Sequence, residues 1–203
     1  MAVTALLAGC QAKERWHNVD ITGEFPPLAF TMQDATGGGL VDASSFRGQV
    51  VLLYFGYTYC PDVCPLTLGR ISGILDQLGP LAKQVRVLFV TVDPNRDSLD
   101  VLHTYTAQFS PQIQGLRGTP DQLAALARTY RIAYSVEPAN ATHPYEVTHS
   151  AAVYAFDATG AARLLIPSLA STTPDIDGTV ADLRQLLLGP PQIGFWSWLR
   201  EKI

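Results

Sequence analysis

Apolar and polar positions along this chain follow two periods. Gln49-Val-Val-Leu-Leu-Tyr-Phe55 is apolar at six consecutive positions, the pattern of a strand buried on both faces. Val85–Val92, interrupted only by Arg86 and Thr91, reads as a second buried strand and closes on Asp93-Pro94. Ala151–Phe156 is a third such run, Asp157-Ala-Thr-Gly160 turns the chain, and Ala162–Ile166 pairs back. Elsewhere the spacing lengthens. Apolar or small residues at 66, 68, 71, 74, 75 and 78 fit one face of a helix, which Gly79-Pro80 ends. Further helices are predicted over Ser98–Phe109, over Pro120–Tyr130 with Thr119 as N-cap, and over Asp175–Leu188. Phe30–Asp34 alternates apolar and polar, Gly37-Gly38-Gly39 turns, and Leu40-Val41 follows, which is a hairpin pattern.

Strands alternating with helices, then a terminal hairpin and helix, predict an α/β fold with a mixed central sheet flanked by helices. The N-terminal β-hairpin is an addition to that plan. One core is expected over residues 25–189, between an N-terminal stretch 1–24 and an aromatic tail 190–203. With 203 residues, 47 % hydrophobic and 16 % charged, the chain can bury such a core. A net charge of −4 offers no electrostatic footprint for nucleic acid. Three cysteines are too few for a disulfide-stapled scaffold.

Leu7-Ala8-Gly9-Cys10 resembles a bacterial lipobox, where a signal peptide is cut and the cysteine is lipidated. Nine preceding residues are fewer than a full signal peptide needs, so residues 1–24 read as a partial lipoprotein signal followed by a tether over 11–24. A lipidated Cys10 would hold the protein to a membrane surface in the cell envelope. In the tail, Phe195, Trp196 and Trp198 suit a membrane interface. The simpler reading is that this tail folds against its own domain.

Cys60 and Cys64 are separated by three residues, in Gly56-Tyr-Thr-Tyr-Cys60-Pro-Asp-Val-Cys64-Pro65, between a buried strand and a helix. Pro65 suits a first helical position, which makes Cys64 the N-cap and places both thiols on a loop. The helix N-terminus is then expected to favour a thiolate at Cys64. Thiolates attack disulfides and bind metal, and a soft sulfur pair selects Cu(I) or Zn(II) over hard cations. A structural disulfide, or two buried thiols, is the plainer alternative. Of the histidines, His17 lies in the tether, His103 on a predicted helix, and His143 and His149 flank Pro144–Thr148. His149 precedes the strand Ala151–Phe156, where a structural role is the commoner one.

Three segments together resemble the SCO/SenC family: Gly56–Thr67, Thr91-Val-Asp-Pro-Asn-Arg-Asp97-Ser, and Thr148-His149-Ser-Ala-Ala-Val-Tyr-Ala-Phe-Asp157. The match runs from about Phe30 to about Leu188. The resemblance implies a thioredoxin-like fold and one copper, Cu(I) or Cu(II), held by a CxxxC pair and a distant histidine. These map onto Cys60, Cys64 and His149. His143 does not match the family histidine. Asp62 and Asp93 match acidic positions of the family and are expected near the site without being ligands. The family implies a metallochaperone whose partner is the subunit carrying the dinuclear copper centre of cytochrome c oxidase, on the outer face of the cytoplasmic membrane. Other periplasmic copper chaperones or thiol reductants are further partners of that kind. Because a Cys60–Cys64 disulfide would abolish the site, redox state is expected to gate loading. The rival is a thiol-disulfide oxidoreductase with Cys60 and Cys64 as its redox-active pair and no metal role. Peroxiredoxins place Thr where this chain has Tyr57, which disfavours a peroxidase.

Overall fold

A computed structural model describes residues 15–142, 144–167 and 169–189. Ten strands and four helices follow in order. The strands are β1 (Val19–Asp20), β2 (Thr31–Asp34), β3 (Leu40–Asp42), β4 (Val50–Gly56), β5 (Val85–Thr91), β6 (Ile113–Arg117), β7 (Tyr134–Glu137), β8 (Glu146–His149), β9 (Val153–Phe156) and β10 (Ala162–Ile166). The helices are α1 (Val63–Leu78), α2 (Leu99–Thr106), α3 (Pro120–Thr129) and α4 (Ile176–Leu188).

Eight strands form one sheet in the order β1-β10-β9-β4-β5-β6-β2-β3. The pairs β4–β5 and β5–β6 are parallel, and the others are antiparallel. This is the expected mixed sheet, with the hairpin β2–β3 added beyond β6. Alternation explains the two-sided core. Val50, Leu52 and Tyr54 of β4 pack with Leu68, Ile71, Ile74 and Leu75 of α1 and with Val180 and Leu183 of α4. Val51, Leu53 and Phe55 face the other way, onto Leu123 and Leu126 of α3 and onto Tyr130 and Phe156. The helix ends follow their residues. Thr119 and Gln122 form a capping box at α3, Ser98 accepts from Val101 N–H at α2, and Asp175 accepts from Gly178 N–H at α4. Among the described residues, no helix is long and apolar enough to cross a membrane.

Three sequence expectations differ from the structure, and two of its features were not predicted. Cys64 is not an N-cap: α1 starts at Val63, with Asp62 in the cap position. Pro65 is thus the third helical residue, where its missing N–H has no intrahelical partner to lose. The second half of the supposed tether lies on the domain. Val19 and Asp20 pair with β10, Ile21 is buried, and the buried Asp182 accepts from His17 and Asn18 N–H at 3.0 and 2.8 Å. The strand expected over Ala151–Phe156 is confined to Val153–Phe156, and His149 ends a different strand, β8. β8 and β7 make a separate two-stranded ribbon that the sequence reading did not contain. β6 was missed as well, since Gln114 and Gly115 break its apolar run. Cys10, His143 and the tail 190–203 lie outside the described residues.

Candidate metal centre

β4 carries the site to the edge of the core. Its last residue, Gly56, is forced by close approach: a Cβ there would lie 2.7 Å from Cys64 Sγ and 2.6 Å from Phe89 Cε2. The chain then turns through Tyr57–Asp62, with Cys60 N–H donating to Tyr57 O. Cys60 is half-buried and Cys64, on α1, is fully buried.

The charge falls on Cys60 rather than on Cys64. Asp62 makes no side-chain cap. The free first-turn donor of Cys64 N–H points instead at Cys60 Sγ, 3.4 Å away. A sulfur thus takes the acceptor's place at the helix N-terminus. The Cys60 thiol is pulled down to about 4, chiefly by the hydrogen bond from the Cys64 thiol, with the Asp62 and Cys64 amides assisting against burial. Cys64 is pushed up, by donating to Cys60 and by burial. The expectation of a thiolate at Cys64 is therefore reversed: Cys64 sits inside the first turn, where its sulfur lies in the core.

β8 brings the third donor. His149 Nε2 lies 3.3 Å from Cys64 Sγ, across 85 residues of sequence. Its Nδ1 lies 3.0 Å from Ser150 O. A proton on Nδ1 directed at that carbonyl leaves Nε2 with its lone pair toward the sulfurs. The rings of Tyr57 and Tyr54 meet the imidazole edge-on at 5.7 and 6.0 Å. The Tyr54 hydroxyl donates to Cys64 Sγ at 3.6 Å. One donor atom from each of Cys60, Cys64 and His149 lies within 4.8 Å of the other two. Two sulfurs and an imidazole nitrogen converging in this way fit a soft or borderline cation such as Cu(I), Cu(II) or Zn(II).

The loop after β5 braces this arrangement. Asp97 is fully buried and accepts from Thr58 N–H at 3.1 Å, Thr58 Oγ1 at 2.6 Å and Thr91 Oγ1 at 2.5 Å, fixing the cysteine loop. Burial raises its carboxyl above the ordinary range, although those hydrogen bonds pull the other way. Asp93, also fully buried, pairs with Arg96 and accepts from the Tyr145 hydroxyl at 2.7 Å. Asp93 is thus near the site without touching a donor, while Asp62 is exposed and contributes only its amide. His17 lies 3.6 Å from Asp175 and His103 sits on α2, so neither joins the three. Sequence reading gave no part to Gly56, Arg96, Asp97 or Tyr145. Asp97 and Arg96 stand inside a segment that carried the family resemblance, which was the signal for them.

The SCO1/SenC family profile matches residues 27–186. The mouse mitochondrial SCO2 homologue is 36% identical over 163 residues, which is 77% of this chain and 64% of that protein. The chain spans between 42% and 64% of the length of the cattle, mouse and human SCO2 homologues it matches. The structure of Bradyrhizobium japonicum ScoI with copper bound is 32% identical, with a TM-score of 0.69 over 79% of this chain and 99% of the other. BsSco, at 18% identity and a TM-score of 0.64 over 85% of this chain and 98% of its own, shows likeness of fold; the fold is the thioredoxin-like one.

Proposed function

The chain belongs to the SCO1/SenC family, and from that premise we propose that it is a copper chaperone for the dinuclear copper centre of cytochrome c oxidase. Its cargo is one copper ion, held by Cys60 Sγ, Cys64 Sγ and His149 Nε2. The single observation that carries this reading is the convergence of those three donors within 4.8 Å. Support comes from Bradyrhizobium japonicum ScoI, whose structure holds copper, and from BsSco, described as one of a family of cytochrome c oxidase assembly proteins. Two sulfurs and one nitrogen leave copper undercoordinated, so an incoming thiolate of the recipient can bind before a donor of this chain departs. Oxidation of Cys60 and Cys64 to a disulfide removes two of the three donors, which makes loading redox-gated. The protein works in the cell envelope on the outer face of the cytoplasmic membrane, anchored through a lipidated Cys10.

Anaerobic copper titration tests this. Reduced protein should take up one equivalent. Oxidised protein and His149→Ala should lose stable Cu(II) binding. Equal uptake by reduced and oxidised protein would sink the reading.

One observation favours a thiol-disulfide role in the same pathway: the thiols are unequal, with Cys60 half-buried and pulled down to about 4. In that chemistry Cys60 thiolate attacks a partner disulfide and expels one partner thiolate. Cys64, once deprotonated, then attacks the mixed disulfide and expels the other. Two electrons pass to the partner and Cys60–Cys64 becomes a disulfide. Turnover surviving in His149→Ala would favour this reading over copper delivery.

A further inference from the structure

His149 lies on the β7–β8 ribbon, whereas Cys60 lies on the turn that follows β4 and Cys64 on α1. Among the described residues no backbone ladder joins the β7–β8 ribbon to β4; besides the short link to β9, the ribbon's side chains hold His149 in place. Along the ribbon, Tyr145, Val147 and His149 share one face, as period-two spacing requires. These three are buried or half-buried, whereas Glu146 and Thr148 between them are exposed. The face therefore docks at three points. His149 meets Cys64, and Val147 enters the core. Tyr145, at the far end, meets the loop after β5.

That third contact is elaborate for a residue with no ligand role. The Tyr145 hydroxyl donates to Asp93 Oδ1 at 2.7 Å, and Asp93 is fully buried. The other carboxylate oxygen of Asp93 pairs with Arg96. The Arg96 guanidinium lies over the Tyr145 ring, 4.0 Å from its centroid. It also lies 4.9 Å from the ring centroid of Tyr59 and 5.8 Å from that of Tyr57, both on the cysteine loop. Tyr57 in turn packs edge-on against His149. One cation thus stacks on aromatic rings from both halves of the site. The same short loop also holds the cysteine turn, through Asp97 and Thr58.

We propose that Asp93, Arg96 and Tyr145 are positioning residues that form a latch. The latch clamps the His149 ribbon to the cysteine loop, sets the distance from nitrogen to sulfur, and limits how fast bound metal leaves. The clause on metal release rests on the copper-binding reading above. The clamp itself is a property of the metal-free protein.

The test uses the full chain. Tyr145→Phe keeps the ring and removes one charge-assisted hydrogen bond. Amide hydrogen exchange of the metal-free protein should quicken about tenfold across 134–137 and 146–149, the factor equivalent to about 1.4 kcal/mol. Exchange in β4 and β5 should not change. Unchanged ribbon exchange, or equal acceleration in β4 and β5, would overturn the latch. Arg96→Gln should loosen the same amides, and Arg96→Lys, which keeps the charge but not the planar stack, should recover part of the protection. A silent Arg96→Gln overturns the part given to the cation. Release of Cu(I) to a competing chelator should then be about tenfold faster from Tyr145→Phe than from the natural protein. Unaltered release from a variant with a loosened ribbon overturns the link to metal exchange. Failure of the natural protein to take up copper defeats the proposed function, while the exchange data still decide the clamp.

Discussion

Gly56→Ala probes the packing that puts a sulfur beside the sheet. The added Cβ would stand 2.6 Å from Phe89 Cε2 and 2.7 Å from Cys64 Sγ. Carbon contacts are comfortable from about 3.5 Å, so about 0.9 Å must be found. Neither neighbour can yield freely. Phe89 is fully buried between the rings of Tyr54 and Tyr105, at 5.9 and 5.6 Å, and Cys64 is locked in the first turn of α1. Overpacking of this kind costs about 1–3 kcal/mol. Loss of glycine's freedom in the unfolded chain offsets about 0.5–1 kcal/mol. The net lies between about 0 and 2.5 kcal/mol, centred near about 1 kcal/mol, which is a fall in Tm of about 2–4 °C for a domain of this size. The displaced sulfur should also weaken copper binding, since the shift is large beside the 3.3 Å contact of Cys64 Sγ with His149 Nε2. Gly69→Ala on α1 is the control: its Cβ meets nothing within 4 Å, and helix propensity should raise stability by about 0.5–1 kcal/mol. Calorimetry and copper titration on both variants read the outcome. A Gly56→Ala protein that melts at or above the natural one, with unimpaired titration, would refute the packing argument.

Asp182→Ala removes a buried acceptor shared by His17 N–H, Asn18 N–H and the Asn18 side-chain amide. It should cost about 2–3 kcal/mol in urea denaturation and expose residues 16–21 to protease; an unchanged midpoint would contradict the docked N-terminal segment. Cys60, with its thiol pulled down to about 4, remains a thiolate throughout the neutral range. Its alkylation in metal-free protein, mapped by mass spectrometry, should therefore stay nearly flat from about pH 8 to about pH 6, where an ordinary thiol slows about tenfold per unit. A tenfold fall per unit at Cys60 would show that the Cys64 thiol and the helix-start amides do not hold the charge there. Copper at about a hundred times its Kd should stabilise the reduced fold by about 2.7 kcal/mol, or about 5–10 °C in Tm. A chelator should reverse the gain and His149→Ala should shrink it; an equal gain in His149→Ala would remove the histidine from the site.

The sequence by itself determined the elements whose pattern is local. A continuous apolar run marked β4, a nearly continuous one β5, and the turn at Asp157–Gly160 β10; the predicted helices match α3, capped by Thr119, and α4 to within a residue, and α2 to within three. The sequence also singled out Cys60 and Cys64 as the candidate pair, because they are close in the chain wherever they fold. The ribbon was illegible because Tyr134–Glu137 and Glu146–His149 are short and half-exposed, with their pairing fixed only by each other. The role of His149 came from family resemblance and not from its surroundings in sequence. Which thiol carries the charge was decided in three dimensions, chiefly by the Cys64 thiol donating to Cys60, with the amides at the start of α1 assisting. The distances among sulfur, nitrogen, Asp93 and Tyr145 were decided there too. Local pattern reports the burial of a residue in its own element; a site assembled from β4, α1, the loop after β5 and β8 exists only when long-range packing has brought those elements together.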